Sequence, residues 1–145
     1  IGIDTLLSLY YNLLNRRLTG HLKKRADELY FCPMIDARRM EVYYSLIGPG
    51  GIIVTDTTAA VVDEVKIDEI IGEKTVIFFG DGASKCRGLT NNQGALFIDD
   101  LHPSAAGMRI PAFLRFDEKN YEDIAYFEPH YLKEFQATTP KKKMP

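Results

Sequence analysis

The sequence predicts a single α/β domain built on a mixed sheet, and three observations carry that prediction. Residues 29–35 and 41–47 are dense in aromatic and branched side chains and are joined by a short polar link, which reads as an antiparallel strand pair. The unbroken apolar run at 75–79 leads into Gly80-Asp81-Gly82, which reads as a buried strand feeding a tight turn. A leucine-rich stretch with helical spacing precedes both. Helix, antiparallel pair and then strand–helix units is the order of a mixed-sheet α/β domain.

Each element has its own signals. Asp4 and Thr5 offer an N-cap ahead of Leu7, Tyr10, Leu14 and Leu18, which follow the helical repeat. Leu6, Leu9 and Leu13 widen the apolar stripe, as in a helix packed on two sides, and Gly20 is its stop. Pro33 lacks an N–H for a ladder, which places it at a strand start or on an edge. Residues 48–51, Gly-Pro-Gly-Gly, turn the chain. Residues 52–54 and 58–62 read as two further strand pieces, and 67–71 as a short helical turn ended by Gly72. A helix is expected over 83–88 and a short strand over 96–98. Ser104 caps a helix through Ala112 and Phe116, which Pro111 should kink or end early. Residues 121–127 return as strand or turn, and 129–133 close the domain. The expected domain is 1–135, and 136–145 is a flexible basic tail whose Ala, Thr, Pro and Lys residues have nothing to bury. Ile1-Gly2-Ile3 reads as the end of a strand whose beginning lies in a preceding segment.

Composition bounds the function classes. The 145 residues are 46% hydrophobic, 26% charged and 11% aromatic, which excludes disordered, collagenous and low-complexity chains. No apolar run approaches the roughly 20 residues that span a bilayer, so no membrane partner is expected. Cys32 and Cys86 lie too far apart for a CxxC pair and read as reduced thiols of a cytoplasmic protein. Net charge is −2, and Lys141, Lys142 and Lys143 sit in the tail, so the body is more acidic still. An acidic body is a poor autonomous ligand for nucleic acid, where phosphate neutralisation supplies most of the affinity. The cluster Arg16, Arg17, Lys23, Lys24 and Arg25 is open to two readings: a solvated helix end, or a surface for RNA or an acidic partner.

The chemistry-bearing residues form no familiar catalytic pattern. His21, His102 and His130 lack zinc-site spacing, and neither a GxSxG elbow nor a GxxxxGK[ST] loop is present. His21 reads as exposed, His102 as structural at a helix start and His130 as packing. Cys32 or Cys86 could act as a nucleophile only beside a basic partner. Gly80-Asp81-Gly82 is either a sharp turn or a phosphate contact, with Gly80 and Gly82 the candidate ligand-contacting residues. Asp81 would repel a phosphate unless a metal intervened. In the link between the paired strands, Asp36 with Arg38, or Arg39 with Glu41, could form ion pairs that staple a hairpin. The other reading makes this link a rim facing a ligand or partner.

That same link carries a resemblance. Residues 35–43, Ile-Asp-Ala-Arg-Arg-Met-Glu-Val-Tyr, resemble the IDAR-x-G-EVY block of the bacterial TsaB (YeaZ) family. Residues 1–6 are similar to the family's IGVSTL segment, 76–82 to its strand-then-Gly-x-Gly element, and 128–133 to its terminal EPxYLR, all in the same order. Met40 stands where the family often has Gly, and Lys133 where it has Arg. If that Gly needs a positive φ, Met40 would be strained and the hairpin must turn differently.

The resemblance implies an RNase H-like (actin-like ATPase) fold of two similar halves, with this chain matching the second half and the crossing helix that leads into it. It implies a non-catalytic accessory subunit in threonylcarbamoyladenosine modification of tRNA, partnered by a TsaD-like transferase and a TsaE-like ATPase and touching tRNA only indirectly. On that reading Asp36, Ala37, Arg38, Glu41 and Tyr43 are structural or partner-facing, and this half holds no catalytic residue, cofactor or metal. A half without its companion should expose apolar surface through which a homodimer could form. The alternative is a nucleotide-binding or peptidase-like hydrolase half-domain, in keeping with the family's older glycoprotease label.

Overall fold

A computed structural model describes residues 1–16 and 28–132. In chain order the elements are α1 (Thr5–Asn15), β1 (Leu29–Asp36), β2 (Glu41–Ile47), β3 (Ile53–Val61), α2 (Glu64–Ile71), β4 (Thr75–Phe79), β5 (Ala95–Ile98) and α3 (Ala105–Asp117). Short 3₁₀ turns occupy Pro49–Gly51 and Asp81–Lys85. The strands form one mixed sheet in the order β3-β2-β1-β4-β5. The hairpins β1–β2 and β2–β3 are antiparallel, and β1–β4 and β4–β5 are parallel. This is the expected α/β class.

Both faces of the sheet are covered, because alternate residues of each strand point to opposite sides. Leu9, Tyr10 and Leu13 of α1 pack on Leu29, Phe31, Ile47, Ile77 and Phe79. On the other face, Ile67, Ile70 and Ile71 of α2, with Ala83 and Cys86, pack on Cys32, Met34, Val42, Tyr44, Val76 and Phe78. Burying each large side chain contributes about 1.5–3 kcal/mol. Val76, Ile77, Phe78 and Phe79 are all fully buried, which accounts for the continuous apolar run of β4.

α1 is packed on two sides, as its broad stripe requires, but its second side is polar. Asn12 donates through Nδ2 to the His102 carbonyl at 2.7 Å, and Asn15 to the Ala106 carbonyl at 3.1 Å. Gly107 of α3 approaches so closely that a Cβ there would lie 2.1 Å from the Ser8 carbonyl oxygen. Asp4 and Ser104 are the N-caps expected of them.

Several local expectations give way. Pro33 lies within β1, the central strand, not at an edge. No β1–β2 pair occurs between Phe31↔Ile47 and Met34↔Tyr44, and the missing N–H falls in that gap. The two strand pieces at 52–54 and 58–62 are one strand, β3, because register shifts between Tyr44 and Ile47 absorb the intervening Thr55-Asp56-Thr57. α2 begins three residues earlier than expected, since Asp63 Oδ1 caps the Lys66 N–H at 2.8 Å. No α-helix follows Gly82: a 3₁₀ turn closes on itself through Ser84 Oγ to the Asp81 carbonyl. Pro111 does not end α3, which runs on to Asp117 with the proline buried inside it. Ile1-Gly2-Ile3 joins no strand: Gly2 accepts from Arg115 Nη1 and is closed in by the Phe127 ring. Gly20, His21, Arg17, Lys23, Lys24, Arg25, Lys133 and the 136–145 tail lie outside the described residues, while Arg16 donates to the Asp100 carbonyl at 2.9 Å.

Candidate functional site

The β1–β2 link and the turn after β4 are far apart in sequence and meet at one end of the sheet. Parallel pairing of β1 with β4 brings them together, because both strands run out in the same direction. Asp36 is the junction. Its Oδ1 accepts from Lys85 Nζ at 2.7 Å and from the Arg38 N–H at 2.7 Å, while its own N–H donates to Asp81 Oδ1 at 3.0 Å. Lys85 Nζ also donates to the Glu41 carbonyl at 3.0 Å, so one ammonium holds both ends of the link. Ala37 closes the loop base by donating to the Glu41 carbonyl. The Lys85 bond, and then the Arg38 N–H, hold the Asp36 carboxyl below its ordinary value.

The expected ion pairs within the link do not form. Asp36 pairs with Lys85, and neither the Arg38 nor the Arg39 guanidinium has a hydrogen bond or ion pair among the described residues. Arg38 and Arg39 both adopt positive φ, 75° and 48°, whereas Met40 does not. The left-handed turn therefore falls on the arginines, and Met40 carries no strain there.

Gly80 and Gly82 face the β1 backbone. A Cβ on Gly80, whose φ is 95°, would lie 2.2 Å from the Met34 carbonyl oxygen, and one on Gly82 would lie 2.9 Å from the Ile35 carbonyl carbon. Close approach of two backbones sets the glycine requirement.

The opposite face of the same strands opens into a cleft of about 850 Å³. Ile35, Tyr43, Ile53 and Thr57 line it from the sheet, residues 2–7 from the start of α1, and 127–132 from the far side. The family-like block is thus split by the pleat, Asp36 toward Lys85 and Tyr43 toward the cleft. Asp4 caps α1 through Oδ1 and accepts from Thr57 Oγ1 through Oδ2 at 3.0 Å, pinning the helix start to β3. Arg115 ties the C-terminal side by an ion pair with Glu122 at 2.6 Å. His130 lines the cleft, and His102 uses its carbonyl to hold Asn12.

Both thiols are free and buried. Burial raises the Cys32 thiol well above its usual value and pushes Cys86 up to about 11, and Cys86 Sγ lies 3.5 Å from Met34 Sδ. Neither is poised as a nucleophile at neutral pH. Among the described residues no three His, Cys, Asp or Glu side chains cluster as metal ligands, and no helix is long and apolar enough to cross a membrane. Lys85 is the site residue that sequence reasoning missed. Its one signal is a lone cation directly after a strand-and-glycine turn, and only the sheet order aims it at Asp36.

No family model and no curated protein matches this sequence. Among solved structures, the chain is similar to the crystal structure of an uncharacterized protein with similarity to peptidase YeaZ from Pseudomonas aeruginosa. The TM-score is 0.55 at 17% identity, covering 90% of this chain and 57% of that one. The fold is YeaZ-like. The chain spans little more than half the length of the structure it matches.

Proposed function

We propose that this chain is part of a non-catalytic accessory subunit of the threonylcarbamoyladenosine tRNA-modification machinery, scaffolding a TsaD-like transferase alongside a TsaE-like ATPase. The YeaZ-like fold and the ordered resemblance of residues 35–43, 76–82 and 128–133 support this reading. The observation that carries it is the use made of Asp36, Lys85 and Asp81. They bond to one another and to backbone, fixing a rigid hairpin tip, instead of converging on an open cavity. The exposed Arg38 and Arg39 at that tip suit contact with a protein partner. tRNA is reached only through the transferase.

The test is reconstitution. A threonylcarbamoyl-adenylate synthase, the transferase, the ATPase and unmodified tRNA are combined, and the modified nucleoside is quantified by mass spectrometry. Additions are nothing, residues 1–145, or the natural protein that carries them. The natural protein should restore modification. If modification is no greater with it than without it, the scaffold reading fails. Calorimetry with ATP and Mg²⁺, or with Zn²⁺, then tests the hydrolase alternative.

A further inference from the structure

Among the described residues, β3 is the outermost strand on its side of the sheet. Its pairing with β2 fixes which of its backbone groups face away. The Val62 N–H donates to the Met40 carbonyl at 2.7 Å, and Ala60 and Thr58 follow opposite Val42 and Tyr44. An antiparallel ladder alternates, so Thr58 and Ala60 turn their N–H and C=O to β2, while Ala59 and Val61 turn theirs outward. The register shifts of β3 lie before Thr58 and leave Thr58–Val61 evenly paired.

Edge strands are ordinarily guarded by lysine or proline. Residues 53–61, Ile-Val-Thr-Asp-Thr-Thr-Ala-Ala-Val, hold neither, and Val61 is 64% exposed. Charge along this edge has one sign. Asp56 stands on the strand, Asp63 and Glu64 come just after it, and no Lys, Arg or His occurs between Met40 and Val65. The next cation, Lys66, is paired with Glu69 at 3.1 Å.

We propose that β3 takes an extended segment of a partner protein as a sixth strand, a segment with an apolar centre and a basic residue at each end. Ala59 and Val61 supply the main-chain bonds, and the acidic residues at the two ends select the side chains. Asp56 and Asp63 are seven positions apart, roughly 23 Å of extended chain, which a segment of about seven residues covers with lysine side chains reaching outward. Charge selects this occupant over a second copy. Self-pairing antiparallel about Ala60 would bring Asp56 of each chain toward Asp63 and Glu64 of the other, acid against acid. Ala59 pairs with Tyr43, so alternate side chains of the added strand lie on the cleft side of the sheet. This inference does not rest on the proposed tRNA-modification role.

Amide hydrogen exchange of the full chain, read by NMR, tests it, with the capped peptide Lys-Thr-Val-Thr-Val-Thr-Lys as the probe. The peptide reads the same in both directions, so either strand orientation presents the same side chains. In the free chain the Ala59 and Val61 amides should exchange fast and those of Thr58 and Ala60 slowly. Saturating probe should slow the Ala59 and Val61 amides about tenfold or more. Replacing both lysines of the probe by glutamate should weaken binding about tenfold. Asp56→Lys should narrow the gap between the two probes. Ala59→Pro removes an outward donor and leaves the β2 ladder whole, so it should abolish the protection of Val61. Asp56→Lys changes an exposed residue and keeps the test decisive if the proline variant fails to fold. No protection at millimolar probe, equal binding of the lysine and glutamate probes, or slow exchange of Ala59 and Val61 before any probe is added overturns the proposal. The last result would mean that this chain or a second copy already covers the edge.

Discussion

Gly80 shows how little freedom one position can have. Its φ of 95° and the Met34 carbonyl oxygen 2.2 Å from any Cβ leave no room for a side chain. Gly80→Ala should cost about 2–4 kcal/mol in urea unfolding, from strain and overpacking together. Gly88, with open space around its Cβ direction, is the control: Gly88→Ala should stay within about 0.5 kcal/mol. Asp36 gives a prediction in pH. Its folded-state value lies below the ordinary 3.8, so its contribution to stability is fully present above that value. The contribution fades as pH falls from there through the lower folded value. Asp36→Asn should therefore flatten the acid limb of stability against pH, read from denaturant midpoints between neutral and acid pH. An unchanged limb would mean that the Lys85 bond contributes nothing. The pairing Asp36–Lys85 was not legible in the sequence, where Arg38 and Arg39 are nearer carboxylate partners; the strand order overrode proximity along the chain.

At the scale of elements, the β1–β2 hairpin is the sharpest case. Met40 would be strained only if its position needed a positive φ; the hairpin turns differently, with positive φ on Arg38 and Arg39. Arg39→Gly should stabilise by about 0.5 kcal/mol, the relief of a left-handed side chain less the added chain entropy. Met40→Gly, although it matches the family pattern, should destabilise by about 0.5–1 kcal/mol, since it adds entropy without relieving strain. Opposite signs in denaturant melts would confirm the turn; reversed signs would refute it. The starts of α1 and α3 were legible because caps are local: Asp4 and Ser104 act within three residues of themselves, whereas the Asp63 cap of α2 was passed over. The fate of Pro33 and Pro111 was not, because each is decided by a neighbour distant in sequence. Pro33 falls in a gap of the β1–β2 ladder, and Pro111 is buried on α3 one turn after Gly107, which meets Ser8 of α1.

For the whole molecule, the arrangement is a sheet covered on both faces, with a cleft at one end of the α1 side and an apolar outer face on α3.

The sequence by itself determined the fold class, the existence of every described strand and helix other than the turn after Gly82, and the block at 35–43 that marks the family likeness. Those properties follow from side-chain period, caps and glycines, which act over a few residues. Only the tertiary structure decided which groups meet. Lys85 reaches Asp36 because β4 lies parallel to β1, and Tyr43 lines a cleft because the pleat turns it away from Val42. α3 meets α1 at Gly107 because only a residue without a Cβ fits against the Ser8 carbonyl. Spacing along a chain fixes direction within an element, but the order in which strands pair fixes distance between elements.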